Sequence, residues 1–576
     1  MAGKTAAVTA ALALSVTGTA QAGGPNPVAL ENGLPGTRAW IAAEADPPAI
    51  EGYASETSVL PGEALHLHVA ASPPARYVVR LYRLGWYDGA GGRLFGCVPG
   101  CGADELAVPG ARPAPELLTG RVHADWPVTD VLPLPATAAS GYYIAQLALT
   151  TGPQTGRVGN VYFVVRSADA SQIVVQVPVN TWQAYNGWGG KSLYNFNSTG
   201  GIPANRVSFD RPYAPRGQSP LGWEIQLVRF LEQEGYDIAY QSDLDTHRNP
   251  AGLLRHRLVI VAGHDEYWTK EMRDGFDAAR DAGTNLAFMG ANDAYWQVRY
   301  EDDGRTLVGY KSVGDPNPDW ALKTTLFREL VPPRFECELL GVQHQGGFRH
   351  PGEPQLDYVV TPEGASDPWL RGTRLVTGSV LPDLVGREWD SIPAYLPEGC
   401  RKPGLTALFH HDGASGPADA VRYTAPSGAR VFSAGSLQFS WALDAFGLDA
   451  FGHVQGPDPR VQQFTRNALA DLLRPAAPIS VTAAVGRTRW VWISLVVHAD
   501  PRVRAYAIFR HAGAEVFDPS GLGARRVCLA AAAGCSDRVR RPGVYRYAAE
   551  AVDAWNASQP VFSAPVDLRR GRRRPR

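Results

Sequence analysis

What this 576-residue chain lacks narrows it more than what it has in abundance. Beyond the first 22 residues, no segment is long and apolar enough to cross a bilayer as a helix, which takes about 20 such residues. Charge imbalance is nearly absent. A formal net charge of −1 offers no electrostatic reason to expect nucleic acid, and charged residues make up only 19% of the chain. There is no C-x-x-C pair and no cysteine–histidine cluster, which argues against a metal site built on thiolates. No G-x-S-x-G elbow is present, so a serine hydrolase of the usual α/β kind is poorly supported. The segment GWGGKS at 187–192 lacks the spacing of a phosphate-binding loop. No internal repeat relates one part of the chain to another.

The ends are informative. The opening MAGKTAAVTAALALSVTGTAQAGG has one lysine, an alanine-rich apolar run and small residues ending Ala20-Gln21-Ala22. That is the layout of a secretory signal peptide cut after Ala22, which predicts an exported protein, extracellular or periplasmic and not membrane-spanning. The last eight residues, 569–576, form a basic tail, either a solvated terminus or a tether to an anionic surface. Six cysteines in an exported chain read as three disulfides, with Cys97–Cys101, Cys337–Cys400 and Cys528–Cys535 as the plausible pairs.

An apolar content of 45% supports real cores, and the length suggests three or four domains. Over 45–168, runs such as ALHLHVAA and NVYFVVRS alternate with turn residues, predicting a β-sandwich. Over 171–474 the texture changes to apolar strands alternating with helical segments, the pattern of a mostly parallel, three-layer α/β domain. Thr269 suits a helix N-cap and Gly283 a C-cap. A Pro- and Gly-rich stretch at about 300–425 reads as an insertion. From 476 to 568 short strands return, predicting a fibronectin-like sandwich.

Ligands of open α/β sheets bind outside the carboxyl ends of the strands. Five proposed strands of the central block are followed there by polar residues. These are Tyr185, Asn186 and Tyr194 on a glycine-rich loop, then Ser242-Asp243-Leu244-Asp245, then Gly263-His264-Asp265-Glu266-Tyr267-Trp268, then Gly290-Ala291-Asn292-Asp293, and last Gly435-Ser436-Leu437-Gln438. No cysteine stands among them. A histidine, carboxylates and tyrosines suit a hard, oxygen-loving metal ion acting as a Lewis acid. Each residue also has a plainer reading. Tyr185 could be a buried aromatic, Glu266 a helix-capping anion, His264 a core histidine and Asn292 a turn residue.

The segments NTWQAYNGWGGKSLY, VIVAGHDEYW and FMGAND together resemble the large (β) subunit of N,N-dimethylformamidase and its secreted relatives. IEGYASETSVLPGE and RLYRLGWYDGAGGRL resemble the β-domain that precedes them. The likeness covers roughly 45–475. It implies a glutamine-amidotransferase-like core without the usual cysteine. It also implies one ferric ion, Fe(III), held by two tyrosinates and a glutamate. Tyr185 and Glu266 match two of these ligands, and Tyr143 in SGYYIAQL is taken as the second tyrosine. His264 matches a histidine that orients water or passes protons, and Asn292 a group that steadies the oxyanion. The implied activity is hydrolysis of an amide or related C–N bond in a small molecule. A small partner subunit and a homo-oligomer are both compatible with it. An acid for proton transfer is expected near the end of the core, where this sequence has Gln438; either another acid, such as Asp243 or Asp265, takes that role, or the chain does not catalyse this reaction. A second reading is a non-catalytic surface protein that binds carbohydrate or peptide, with Trp182, Trp188, Trp268 and Trp296 as stacking platforms.

Overall fold

The computed structural model describes residues 26–569, apart from 46, 215–219, 350–352, 448–455 and 532–533. The expected signal peptide and all but the first residue of the basic tail lie outside the described residues. The chain is built mostly of β-sheets with few helices. Among the described residues, no helix is long and apolar enough to cross a membrane.

Five parallel strands form the heart of a nine-stranded sheet: β1 (Ile173–Val177), β2 (Ile238–Ser242), β3 (Leu258–Val261), β4 (Asn285–Phe288) and β5 (Arg430–Ser433), in the order β2-β1-β3-β4-β5. Every residue of β1, β3 and β4 is buried, as expected of strands covered on both faces. Ile173, Val175 and Val177 pack into one core with α2 (Ile225–Gln233) and α4 (Pro459–Leu472). Val174 faces the other core, with Met272 and Phe276 of α3 (Lys270–Asp281). Thr269 caps α3, its hydroxyl accepting from the Met272 amide, and Gly283 follows the helix at φ +87°.

The stretch at 300–425 lies between β4 and β5 in the chain and lays four antiparallel strands on the sheet. In order outward from β5 these are Ala418–Thr424, Thr406–His411, Leu356–Val360 and Val380–Val385. It also carries a separate pair, Gln343–Phe348 with Glu388–Ser391. All three expected disulfides are formed, Cys337–Cys400 within this stretch.

Before the central sheet, a three-stranded and a six-stranded sheet enclose a core that includes Leu65, Val79, Leu147 and Phe163. After it, a three-stranded and a five-stranded sheet enclose another, around Val491, Ile508 and Tyr547. Buried arginines clamp both to the centre. Arg83, from the strand Ala75–Leu84, meets both oxygens of Glu232 on α2 at 2.9 Å, and neither side chain is exposed. Glu232 also accepts from Tyr240 at 2.9 Å and from Asn32 at 2.7 Å. Arg257, just before β3, likewise grips Asp500 and Asp553 of the last module.

The ends of β3 and β4 approach so closely that only glycine fits. A Cβ on Gly290 would lie 1.6 Å from the Gly263 carbonyl oxygen, and Gly263 itself has φ +68°. This contact turns the chain from β3 directly into His264-Asp265-Glu266.

Two outcomes follow from these contacts. Glu232→Gln strands a buried guanidinium and should lower stability by about 3–5 kcal/mol, measured by denaturant unfolding, whereas Arg248→Ala at an exposed pair should leave the midpoint unchanged. Gly290→Ala should lower the melting temperature and disorder the segment after β3, read by limited proteolysis, whereas Gly314→Ala, with open space around its Cβ, should do neither.

Candidate active site at the carboxyl edge of the central sheet

α1 (Val179–Tyr185) starts one residue after β1 and ends on Tyr185. It is fixed from below, because the Asn180 amide donates to Asp243 at 2.8 Å and Thr181 accepts from the Glu266 amide at 3.0 Å. The glycine-rich loop then folds back over the helix end. Arg211, buried, holds it in place by donating to the carbonyls of Asn186, Trp188 and Lys191 at 2.8, 3.1 and 2.7 Å. Burial pushes this guanidinium down to about 9. The loop returns Tyr194 beside Tyr185, with ring centroids 4.2 Å apart.

Both phenols converge on one carboxylate. Tyr185 donates to Glu266 Oε2 at 3.0 Å, and Tyr194 donates to Oε2 at 2.8 Å and to Oε1 at 3.1 Å. Lys311 Nζ reaches Glu266 Oε1 at 3.4 Å and Tyr267 Oη at 2.5 Å. Tyr267 in turn donates to the Tyr194 hydroxyl at 2.6 Å. The Glu266 side chain is only 3% exposed. Burial first, and then the Glu266 charge, push Tyr185 and Tyr194 well above the usual phenol value. Burial also lowers Lys311, with Glu266 opposing it.

A second carboxylate faces this group. Glu388 Oε2 lies 3.3 Å from His264 Nε2 and accepts from Asn292 Nδ2 at 2.7 Å. His264 Nε2 is 3.5 Å from Glu266 as well. Burial disfavours charge on both partners. Even so, the charge and hydrogen bond of His264, together with His344 and Asn292, outweigh it and hold Glu388 down to about 2, while Glu388 and then Glu266 hold His264 above the usual histidine value. Asn292 sits at φ +54°, a conformation asparagine tolerates, with its amide held by Asp390 at 3.0 and 3.1 Å.

Four of the five residues named from sequence therefore meet: Tyr185, Glu266, His264 and Asn292. Tyr143 does not join them. Its hydroxyl donates to the Ala139 carbonyl at 2.7 Å inside the first sandwich, and its ring packs on Phe95 and Phe163. The neighbouring Tyr142, on the opposite face of the strand, packs on Trp182 and Tyr240. Gln438 is buried against Gly386 and is not the acid of this site. Glu388 comes from the adjoining strand, whose Trp389 bridges to Ser436. Asp243 and Asp265 lie behind the loops, binding the Asn180 amide and the Gln176 side chain, and burial pushes Asp265 up to about 7. Trp182, Trp188 and Trp268 are buried in cores, whereas Trp296 borders a cavity. Glu266 caps no helix, because Thr269 does that. Tyr194 had a sequence signal, its place on the glycine-rich loop. Glu388 and Lys311 had none beyond being charged residues in a Pro- and Gly-rich stretch.

The donor chemistry suits a hard trivalent ion: two phenols and a carboxylate supply oxygen ligands and up to three negative charges. Among the described residues, no group of three or more His, Cys, Asp and Glu could hold a metal, so such an ion would rely on the phenols.

The family described as "N,N-dimethylformamidase beta subunit-like, C-terminal" matches residues 78–455. No curated protein matches the chain. Matched solved structures include titin kinase with its flanking domains, at 16% identity and a TM-score of 0.14, covering 16% of this chain and 17% of that one. An Fn3-like protein from Clostridium thermocellum matches at 18% identity and a TM-score of 0.13, covering 16% of this chain and 91% of that one. Chicken CNTN1 FN1–FN3 domains match at 12% identity and a TM-score of 0.14, covering 38% of this chain and 55% of that one. Overlaps this small leave the family match and the clustered residues as the guides to identity, and by that match the chain belongs to the N,N-dimethylformamidase β-subunit-like family.

Proposed function

We propose that the chain is an exported hydrolase that cleaves an amide or related C–N bond at the Glu266 cluster. The observation that carries this reading is the convergence of two half-buried phenols on one buried carboxylate, beside a histidine–glutamate contact of 3.3 Å. Family membership points to hydrolase-type chemistry. Among the described residues all six cysteines are in disulfides, which leaves no thiol nucleophile and accords with export. We further propose that 171–474 is a glutamine-amidotransferase-like core between sandwich domains at 45–168 and 476–568.

In this reading Tyr185, Tyr194 and Glu266 hold a ferric ion, with Tyr194 in the role that sequence gave to Tyr143. When bound, such an ion supplies Lewis acidity toward a carbonyl oxygen or a water molecule. The remaining chemistry belongs to side chains. Lys311 balances part of the Glu266 charge and keeps its carboxylate in place. His264, whose protonated form Glu388 favours, stores a proton at Nε2 and passes it to the departing amine nitrogen. Glu388 holds His264 in position and stabilises its charge. Asn292 spends one N–H on Glu388 and has the other to give to the carbonyl oxygen as negative charge builds there.

Purified protein should contain about one iron per chain and show the visible absorption of an iron–tyrosinate. Tyr185→Phe and Tyr194→Phe should lose the band and most of the iron. Tyr143→Phe should keep both; loss of iron in that variant alone would transfer the ligand role back to Tyr143. Glu388→Gln should lower kcat by about 10²–10⁴-fold with iron retained, a magnitude typical of proton-transfer groups.

A further inference from the structure

Next to the cluster lies a cavity of about 510 Å³, within the range of small-molecule sites. Its wall is continuous with the cluster. The Trp296 amide donates to the Glu266 carbonyl at 2.9 Å, and Lys311, which touches the Glu266 carboxylate, stands 4.9 Å from the Trp296 ring. Dimethylformamide, with five heavy atoms, would leave most of this space empty.

The lining has a definite chemistry. Trp296 and Trp320 offer two indoles, and Trp320 is 52% exposed at the cavity's edge. Lys323 lies 4.3 Å from the Trp320 ring centroid and donates to the Asp315 backbone carbonyl at 3.1 Å. Among the described residues no carboxylate forms an ion pair with Lys323. Asp315, the buried acid of the lining, is taken by Arg299 and by the Thr324 amide at 2.8 Å. Glu329, the other acid of the lining, accepts from the Thr325 hydroxyl at 2.6 Å. The cavity thus presents aromatic faces beside an ammonium group that, among the described residues, has no carboxylate within ion-pair distance.

We infer that this cavity is the subsite for the nitrogen substituent of the amide, and that it takes a planar ring carried next to a carboxylate, as in an N-acylated aromatic amino acid. The ring would lie on Trp320 and Trp296, and the carboxylate would pair with Lys323. The inference rests on the hydrolase reading above. Hydrolysis would add the hydroxyl of water to the acyl carbon and its hydrogen to nitrogen. That breaks the C–N bond and releases the acyl acid and the free amino acid.

The test is calorimetric binding of N-acetylphenylalanine and of its uncharged ethyl ester to the intact protein, alongside release of phenylalanine. The acid should bind more tightly than the ester. Lys323→Gln should weaken acid binding about tenfold and remove the preference, as expected for loss of one charge-assisted hydrogen bond. Lys323→Arg should keep the preference, and Trp320→Ala should weaken both ligands. The inference is overturned if the acid does not bind, or if it binds equally well to wild type, Lys323→Gln and Trp320→Ala. Binding with the expected dependence but no release of phenylalanine would uphold the subsite and count against the hydrolase. Cleavage of small neutral amides without binding of the acid would do the reverse.

Discussion

A carboxylate that is 3% exposed must be satisfied where it stands, and Glu266 sets that requirement for the whole site. Its partners come from three separate places: Tyr185 from the end of α1, Tyr194 from the loop beyond it, and Lys311 from the chain after β4. None is close to Glu266 in sequence. Each is brought to it by the parallel sheet, which sends successive chain segments out at the same edge. Glu388 repeats the arrangement one layer away, paired with His264 and held by Asn292. One buried and one half-buried acid with one lysine and one histidine make a polar site largely withdrawn from bulk water, the setting in which fixed charges act strongly.

The rest of the molecule keeps this edge rigid. The Gly263–Gly290 contact leaves no freedom in how β3 enters the His264–Glu266 turn. Arg211 ties down the loop that carries Tyr194 through its backbone carbonyls, while its Nε donates to the Gln183 side chain at 3.0 Å. At longer range, Arg83–Glu232 and Arg257 with Asp500 and Asp553 lock the flanking sandwiches against the central sheet. Buried pairs of this kind add little net stability, but they penalise any relative displacement of the parts they join.

Much of this was legible in the sequence because it is local. Apolar runs marked the parallel strands, Thr269 marked a helix start, and short spacings suggested two of the three disulfides. The residues directly after each strand follow from topology, which is why Tyr185, His264, Glu266 and Asn292 could be named. What failed to show depends on packing. Tyr142 and Tyr143 alternate across one strand, and both faces of that strand are buried, so sequence could not tell which side faced what. Tyr194 reaches Glu266 only because its loop doubles back under Arg211's hold. Glu388 sits 50 residues before Gln438 and becomes its neighbour only through the antiparallel bridge of Trp389 with Ser436. The four antiparallel strands at 356–424 were hidden because they are short, five to seven residues each, and set among proline- and glycine-rich turns.

The central claim is that Tyr185, Tyr194 and Glu266 form one metal-binding group with the His264–Glu388 pair at its side. The most direct measurement is an anomalous difference map, recorded on both sides of the iron absorption edge, from crystals of the iron-loaded protein. The account predicts a single strong peak within bonding distance of the Tyr185 and Tyr194 hydroxyl oxygens and the Glu266 carboxylate. A peak bound by Tyr143, or iron-loaded crystals with no peak at Glu266, would contradict it.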